Sequence, residues 1–166
     1  MRKILLLVAL FSIGSFTSFS QKGGTVKQYV YARAVSGGAM AVDENGRPRS
    51  KPAKQYFIYI ETFKGSPTIS AIYINGLSYT GKAVKVGSPV IVNDNSAGAG
   101  KETLVAKTSN QVWQVSVERN ETAAKPSSAL NKTIKSNEFV MKGFLNGKSF
   151  LISAKKIKEL QPLMAE

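Results

Sequence analysis

The sequence predicts an all-β fold: an antiparallel, immunoglobulin-like β-sandwich of about eight or nine short strands, with a small barrel as the alternative. Runs rich in Val, Ile, Tyr and Phe recur along the chain, and Gly, Pro, Asn, Asp and Ser separate them. Several of the separators are turn dipeptides such as Asn-Gly, which favour tight hairpins. No Cys…Trp…Cys pattern marks a true immunoglobulin domain, because the chain has no Cys.

Nine runs are predicted to be strands, and they cover residues 25–35, 54–63, 69–74, 77–86, 90–92, 102–107, 112–118, 139–145 and 148–153. The alternation of Trp113, Val115 and Val117 with polar neighbours is typical of a half-buried strand. Asn146 and Gly147 tolerate the positive φ angles of a type I′ turn, which predicts a hairpin there. The second run is apolar on both faces, which indicates a central strand or a face covered by a loop.

Three stretches rich in Gly, Pro, Asn and Ser are predicted to be long loops: residues 36–53, 93–100 and 120–137. Leu130 and Ile134 stand four positions apart in the last of these stretches, a spacing that predicts one helical turn. Residues 155–159 fit either an edge strand or a short helix.

Residues 1–20 have the layout of a cleavable secretory signal peptide. Two basic residues are followed by an apolar run of about 11 residues, and Ser18 and Ser20 place small side chains at −3 and −1 of a cut before Gln21. An uncleaved anchor is the alternative, but the apolar run is roughly half of the ~20 residues that span a bilayer as a helix. We therefore predict export to the periplasm, the cell surface or the medium, and one β-sandwich domain over residues 21–166.

Composition favours some functions and excludes others. Cleavage would leave 146 residues with 21 basic and 10 acidic side chains, a formal charge of +11. Such a surplus favours acidic partners, such as anionic lipid headgroups, acidic polysaccharides or nucleic acid, although dispersed lysines are also typical of a solvated exterior. The absence of Cys and His excludes disulfides, thiol catalysis, Ser-His-Asp triads and the usual zinc sites.

Three short motifs resemble known sites but lack required positions. Residues 98–103 suggest a phosphate loop, yet Asn95 and Glu102 stand where glycine and Ser or Thr are needed. An Asn-Asp-Asn tripeptide offers oxygen ligands without the glycine and distal glutamate of an EF-hand loop. Ser153 and Lys156 fit a Ser-x-x-Lys pair, but no Lys-Thr-Gly or Ser-Asp-Asn accompanies them. We expect no nucleotide, metal or other cofactor.

The densest basic run is the candidate contact for an acidic partner, and it consists of Arg47, Arg49, Lys51 and Lys54. Two prolines within the run limit its backbone freedom, which lowers the entropy cost of docking. A solvated loop without a partner is the alternative interpretation.

Tyrosines on the predicted strands are candidates for a platform on which sugars stack, chiefly Tyr56, Tyr59 and Tyr73. Tyr is also a favoured strand residue, so core or cross-strand packing is the alternative role. Both interpretations depend on which side chains share an open surface.

Glu61 is the acid predicted to lie inside a strand among aromatic residues. It is either a buried structural group or a carboxylate that lines a cleft. Glycoside hydrolysis would need a second carboxylate opposite it.

These observations predict an exported, non-catalytic binding or structural module of the cell envelope that contacts a protein or an anionic polymer through a basic surface. Two alternatives remain open. One is a secreted hydrolase that uses Glu61 or a Ser–Lys pair, and the other is a subunit of an envelope assembly that pairs through strand edges. No membrane span is expected in the mature chain.

Overall fold

The computed structural model describes residues 26–36, 45, 53–93 and 100–164. Most of them are in strands, so the all-β prediction is confirmed. The predicted signal peptide, residues 1–20, lies outside the described residues. The elements in chain order are β1 (Val26–Ser36), β2 (Ala53–Thr62), β3 (Pro67–Ile74), β4 (Leu77–Val86), β5 (Val90–Asn93), β6 (Lys101–Val105), β7 (Gln111–Arg119), α1 (Ser128–Lys135), β8 (Phe139–Leu145), β9 (Lys148–Ala154) and β10 (Lys158–Met164).

Eight strands form one mixed sheet that curls into a half-barrel, in the order β10-β1-β2-β7-β4-β3-β8-β9. A short connection explains the curl. Ala154 ends β9 at one edge and Lys158 begins β10 at the other, and this stretch of chain reaches at most roughly 14 Å. Eight flat strands would separate the two edges by about 34 Å. The edges must therefore lie close together.

Of residues 155–159, which were predicted to be an edge strand or a short helix, 158 and 159 begin edge strand β10, and 155–157 form the link that precedes it. Strand β10 runs parallel to β1, with Tyr31 opposite Lys158, so the sheet is mixed rather than purely antiparallel as predicted. The parallel pairing arises because β10 continues in the direction of β9 instead of turning back. Pro162, which has no N–H to donate, is accommodated because β10 is an edge.

The concave face of the half-barrel holds the main hydrophobic core, to which all eight strands except β10 contribute. Ile58, Ile72 and Phe139 are fully buried at its centre. The alternating apolar residues predicted on β7 all belong to this core. Trp113 donates its indole N–H to Oγ1 of Thr62 at 3.1 Å, which satisfies its polar atom inside the core.

The hairpin of β5 and β6 covers part of the convex face. Leu104 and Val105 pack there on Tyr59 and Val112, and the Tyr31 hydroxyl donates to the Leu104 carbonyl at 2.6 Å. This hairpin accounts for the apolar residues on both faces of β2, as the covered-face prediction requires. Because a hairpin and not a second large sheet does the covering, the immunoglobulin-like sandwich is not confirmed.

Helix α1 covers a second part of the convex face. It confirms the predicted helical turn and extends it to eight residues. Leu130 and Ile134 pack on Tyr73 and Val140, as their spacing requires. The Ser127 hydroxyl caps the first turn by accepting from the Leu130 N–H at 3.4 Å.

Candidate functional site

The half-barrel has two ends that carry different loops. The upper end carries the β3–β4 turn at Asn75 and Gly76, helix α1 and the link that follows β9. The lower end carries the β2–β3 turn at residues 63–66, the β8–β9 turn at Asn146 and Gly147, and the loop before β7. The antiparallel order of the central strands fixes this assignment.

The predicted basic run lies mostly beyond the described residues. Arg47, Arg49 and Lys51 fall outside them. Lys54 is exposed at the upper end and pairs with Glu159 of β10. The hydrogen bond to Glu159 raises the pKa of Lys54 above its ordinary value. The binding role of this run stays a prediction.

The three tyrosines of the predicted platform lie in three different clusters. Tyr56 borders the concave core, where its ring meets Tyr79 edge-on with centroids 6.4 Å apart. Tyr59 is 3% exposed beneath the β5–β6 hairpin, and Tyr73 is 7% exposed beneath α1. The structure does not bring them together on one open surface, and their contacts are those of packing residues.

Glu61 lies on β2 at the lower end and is only 7% exposed. Its carboxylate accepts hydrogen bonds from the Tyr29 hydroxyl at 2.6 Å, the Asn110 amide at 2.7 Å and the Thr108 hydroxyl at 2.8 Å. The Lys27 ammonium lies 3.7 Å from the same group. Both carboxylate oxygens are therefore engaged.

These donors hold the pKa of Glu61 below its ordinary value of 4.5, the Tyr29 hydroxyl bond being the largest cause, while burial acts in the opposite direction. A general acid at neutral pH needs a raised pKa instead. The geometry supports the structural interpretation of Glu61, in which it fastens the loop before β7 to strands β1 and β2.

The Ser–Lys pair of the hydrolase alternative is not assembled among the described residues. Ser153 and Lys156 are both exposed, and no hydrogen bond joins their side chains. The Ser153 carbonyl instead accepts from the Gln28 amide at 2.7 Å, which joins edge strand β9 to β1.

An open groove of about 580 Å³ lies at the upper end, between α1, the β3–β4 turn and the link after β9. Its lining includes three amides and two ammonium groups, which belong to Asn75, Asn131, Asn137, Lys135 and Lys155. A shallower depression of about 480 Å³ continues along α1 past Lys132. We call the two together the basic groove.

The basic groove holds more positive than negative side chains, and its ammonium groups form no salt bridge among the described residues. In the part of the chain that the structure describes, no carboxylate pairs with Lys132, Lys135 or Lys155. Glu138 contributes one negative charge to the groove, and one oxygen of its carboxylate accepts from the Ile157 N–H at 2.8 Å. Lys132 and Lys135 also stand in the last turn of α1, where they offset the partial negative charge of the helix end.

Sequence reasoning missed this groove because its residues come from three separated segments of the chain. One signal was available. Lys132 and Lys135 are three positions apart in the stretch where Leu130 and Ile134 predict a helical turn, so a two-turn helix would place them on one exposed side.

Arg33 is a buried charge that sequence reasoning also missed. It is 3% exposed, and its guanidinium lies 5.7 Å from the centre of the Phe57 ring. Its Nε and one Nη are buried and have no hydrogen-bond acceptor among the described residues. Atoms sealed in this way cannot reach an external partner, so Arg33 stays outside the candidate site.

Among the described residues, no group of three or more acidic, His or Cys side chains is placed to hold a metal ion. Within the same residues, no helix is long and apolar enough to cross a membrane. No protein-family model, no curated protein and no solved structure matches the chain.

Proposed function

We propose that the protein is an exported, non-catalytic binding module that holds an acidic polymer chain, a protein or a polysaccharide, in the basic groove. The observation that carries the proposal is the set of unpaired ammonium groups of Lys132, Lys135 and Lys155 beside the amides of the groove. Lys54, the last member of the predicted basic run, lies at the same end of the half-barrel.

The shape of the groove favours a polymer over a small molecule. Small-molecule sites are concave, mostly apolar and bury most of the ligand's surface, whereas this groove is open and most of its lining residues have polar side chains. Ammonium groups attract carboxylates or sulfates as point charges, and the Asn131 amide can exchange hydrogen bonds with backbone or hydroxyl groups. The NH2 of Asn137 already donates to the Thr133 carbonyl and the Ser136 hydroxyl. A chain that carries repeated negative charges fits this arrangement.

The assembly alternative has less support. The free edge of β10 includes Pro162, which offers no N–H to a neighbouring strand. The edge of β9 faces β1 and is bridged there by the Gln28 amide. Light scattering at high protein concentration would show oligomers if these edges paired between molecules.

Export is part of the proposal. Protein recovered from the periplasm, the cell surface or the medium should begin at Gln21, which mass spectrometry of the intact chain would show. An N-terminus at Met1 in that fraction would contradict cleavage.

Neutralising the groove is expected to weaken retention on an acidic polymer by about 10- to 100-fold, because exposed ion pairs contribute up to roughly 1 kcal/mol each. The test variant is K132Q/K135Q/K155Q. Binding to immobilised polyglutamate and to a carboxylated polysaccharide would be measured at low salt and at increasing salt, since salt screens such contacts.

A matched control has the same charge change elsewhere on the surface. K82Q/K101Q/K142Q removes three exposed lysines that lie outside the groove. The proposal requires the control to keep most of the retention. Equal losses in both variants would show that net charge, and not the groove, governs binding.

A further inference from the structure

The lower end of the half-barrel presents an unusually exposed aromatic side chain. Phe63 is 81% exposed, more than any other large apolar side chain among the described residues. It stands at the start of the turn between β2 and β3. Its ring therefore presents a large apolar surface to solvent, and burying that surface against another apolar phase would be favourable.

The turn that carries Phe63 is held in one conformation. The Thr62 hydroxyl donates to the Gly65 carbonyl at 3.3 Å, and the Asn146 amide donates to the Lys64 carbonyl at 3.2 Å. Gly65 has a φ of +95°, and a Cβ there would lie 2.0 Å from Oδ1 of Asn146. Phe63 is therefore presented by a preorganised turn, which lowers the entropy cost of docking.

Lysines surround this turn. Lys64 follows Phe63 directly, and Lys148 follows the β8–β9 turn that bonds to it. Lys107 precedes Thr108, whose hydroxyl bonds to Glu61. All three lysines are exposed.

The acid of this end does not offset their charge. Glu61 is almost fully buried and is already bound to its neighbours, with Lys27 as its ion-pair partner. In the described part of the lower end, the accessible charge is therefore positive.

We infer that the lower end docks on an anionic lipid bilayer, with Phe63 inserted at the interface and the lysines over the headgroups. Charge complementarity favours this partner, since juxtamembrane lysines each strengthen contact with an anionic surface by roughly fivefold. One protruding ring buries far less than the ~800 Å² per partner of a specific protein interface. Reversible peripheral attachment instead combines a small apolar insertion with electrostatic attraction to anionic lipids, which Phe63 and the lysines supply together.

This attachment is independent of the basic groove, which lies at the opposite end. A molecule docked by its lower end would turn the groove away from the membrane. Membrane docking thus goes beyond the proposed polymer binding, and evidence against either one would not contradict the other.

The test uses protein purified from the exported fraction, with its N-terminus checked by mass spectrometry. It is cosedimented with vesicles of phosphatidylcholine containing phosphatidylglycerol, and with vesicles of phosphatidylcholine alone. We expect binding to the anionic vesicles only, a loss of about tenfold or more for Phe63→Ser, and a similar loss for K64Q/K148Q.

Matched controls separate docking from general surface effects. Leu77→Ser removes an apolar side chain that is 46% exposed at the upper end. K82Q/K142Q removes two exposed lysines that lie outside the lower end. Both control variants should bind anionic vesicles as the unaltered protein does. Thermal unfolding should be the same for Phe63→Ser and the unaltered protein, because Phe63 packs against little.

A spectroscopic measurement shows insertion directly. The indole of a Phe63→Trp variant should shift its emission to the blue when anionic vesicles are added, beyond any change from Trp113. Absence of binding at low salt, or equal binding by Phe63→Ser, would overturn the inference. The second result would also be expected if Phe63 serves a protein partner.

Discussion

Replacing Glu61 with Ala is expected to lower the free energy of unfolding by about 3–5 kcal/mol, because the buried donors that now bond to its carboxylate would have no acceptor. The hydroxyls of Tyr29 and Thr108 and the amide of Asn110 would all lose their acceptor. Urea denaturation followed by circular dichroism measures the change. The loop before β7 should also become more accessible to hydrogen exchange, since Glu61 fastens it.

A matched acid on the surface provides the control. Glu121 is exposed and only pairs with Arg119 at 3.5 Å, so Glu121→Ala should change the stability by less than about 0.5 kcal/mol. Glu61→Gln keeps the side-chain volume and removes the charge, and it should fall between the two. If Glu61→Ala were no more destabilising than Glu121→Ala, the described network would be wrong.

The same carboxylate predicts a pH dependence. Because the folded-state pKa of Glu61 is lowered from 4.5, its contribution to stability is complete above that value and is lost as the pH falls through the folded-state pKa. The stability difference between the unaltered protein and Glu61→Gln should therefore be largest near neutral pH and shrink at acidic pH. A difference that is constant from pH 7 to pH 3 would contradict the lowered pKa.

Glu61→Gln also tests the hydrolase alternative. A hydrolase that relied on this carboxylate would lose its activity in the variant while the fold remained. The structural role instead predicts a change in stability alone. The two outcomes are distinguishable because unfolding and hydrolysis are measured separately.

Local sequence patterns determine much of this fold. The alternation of Trp113, Val115 and Val117 predicts a half-buried strand with these residues on its apolar face, and all three pack in the core. Asn146 with Gly147 predicts the β8–β9 turn, and both residues have the positive φ that the prediction requires. The spacing of Leu130 and Ile134 predicts the helix. These features depend on neighbours in sequence, which is why they can be read from it.

Long-range pairing could not be predicted in the same way. Nothing in residues 158–164 indicates that β10 lies parallel to β1, since that pairing follows from how far the whole sheet curls. The basic groove depends on which turns meet at the upper end. The sequence pattern also does not predict the exposure of Phe63, because an apolar residue at the end of a strand is normally expected to pack.

The contact between β3 and β8 is another long-range feature, and it leads to a strong prediction. The pairing of these strands shifts between Ile69 and Ala71, which leaves Ser70 as an extra residue in β3. Beside this bulge, a Cβ on Gly143 would lie 2.4 Å from the Thr68 carbonyl oxygen and 2.7 Å from the Phe150 ring. Glycine is therefore required because the backbones approach closely, and not because of its own φ angle.

Replacing Gly143 with Val is expected to lower the free energy of unfolding by about 3 kcal/mol, since backbone and a buried ring must both move to admit the side chain. Gly87→Val is the matched control, because a Cβ at Gly87 meets nothing within 4 Å; it should cost less than about 1 kcal/mol. Thermal and urea unfolding of both variants would be compared at one pH. Equal stability of the two variants would contradict the close approach of β3 and β8 at Gly143 and the packing of Phe150 beside it.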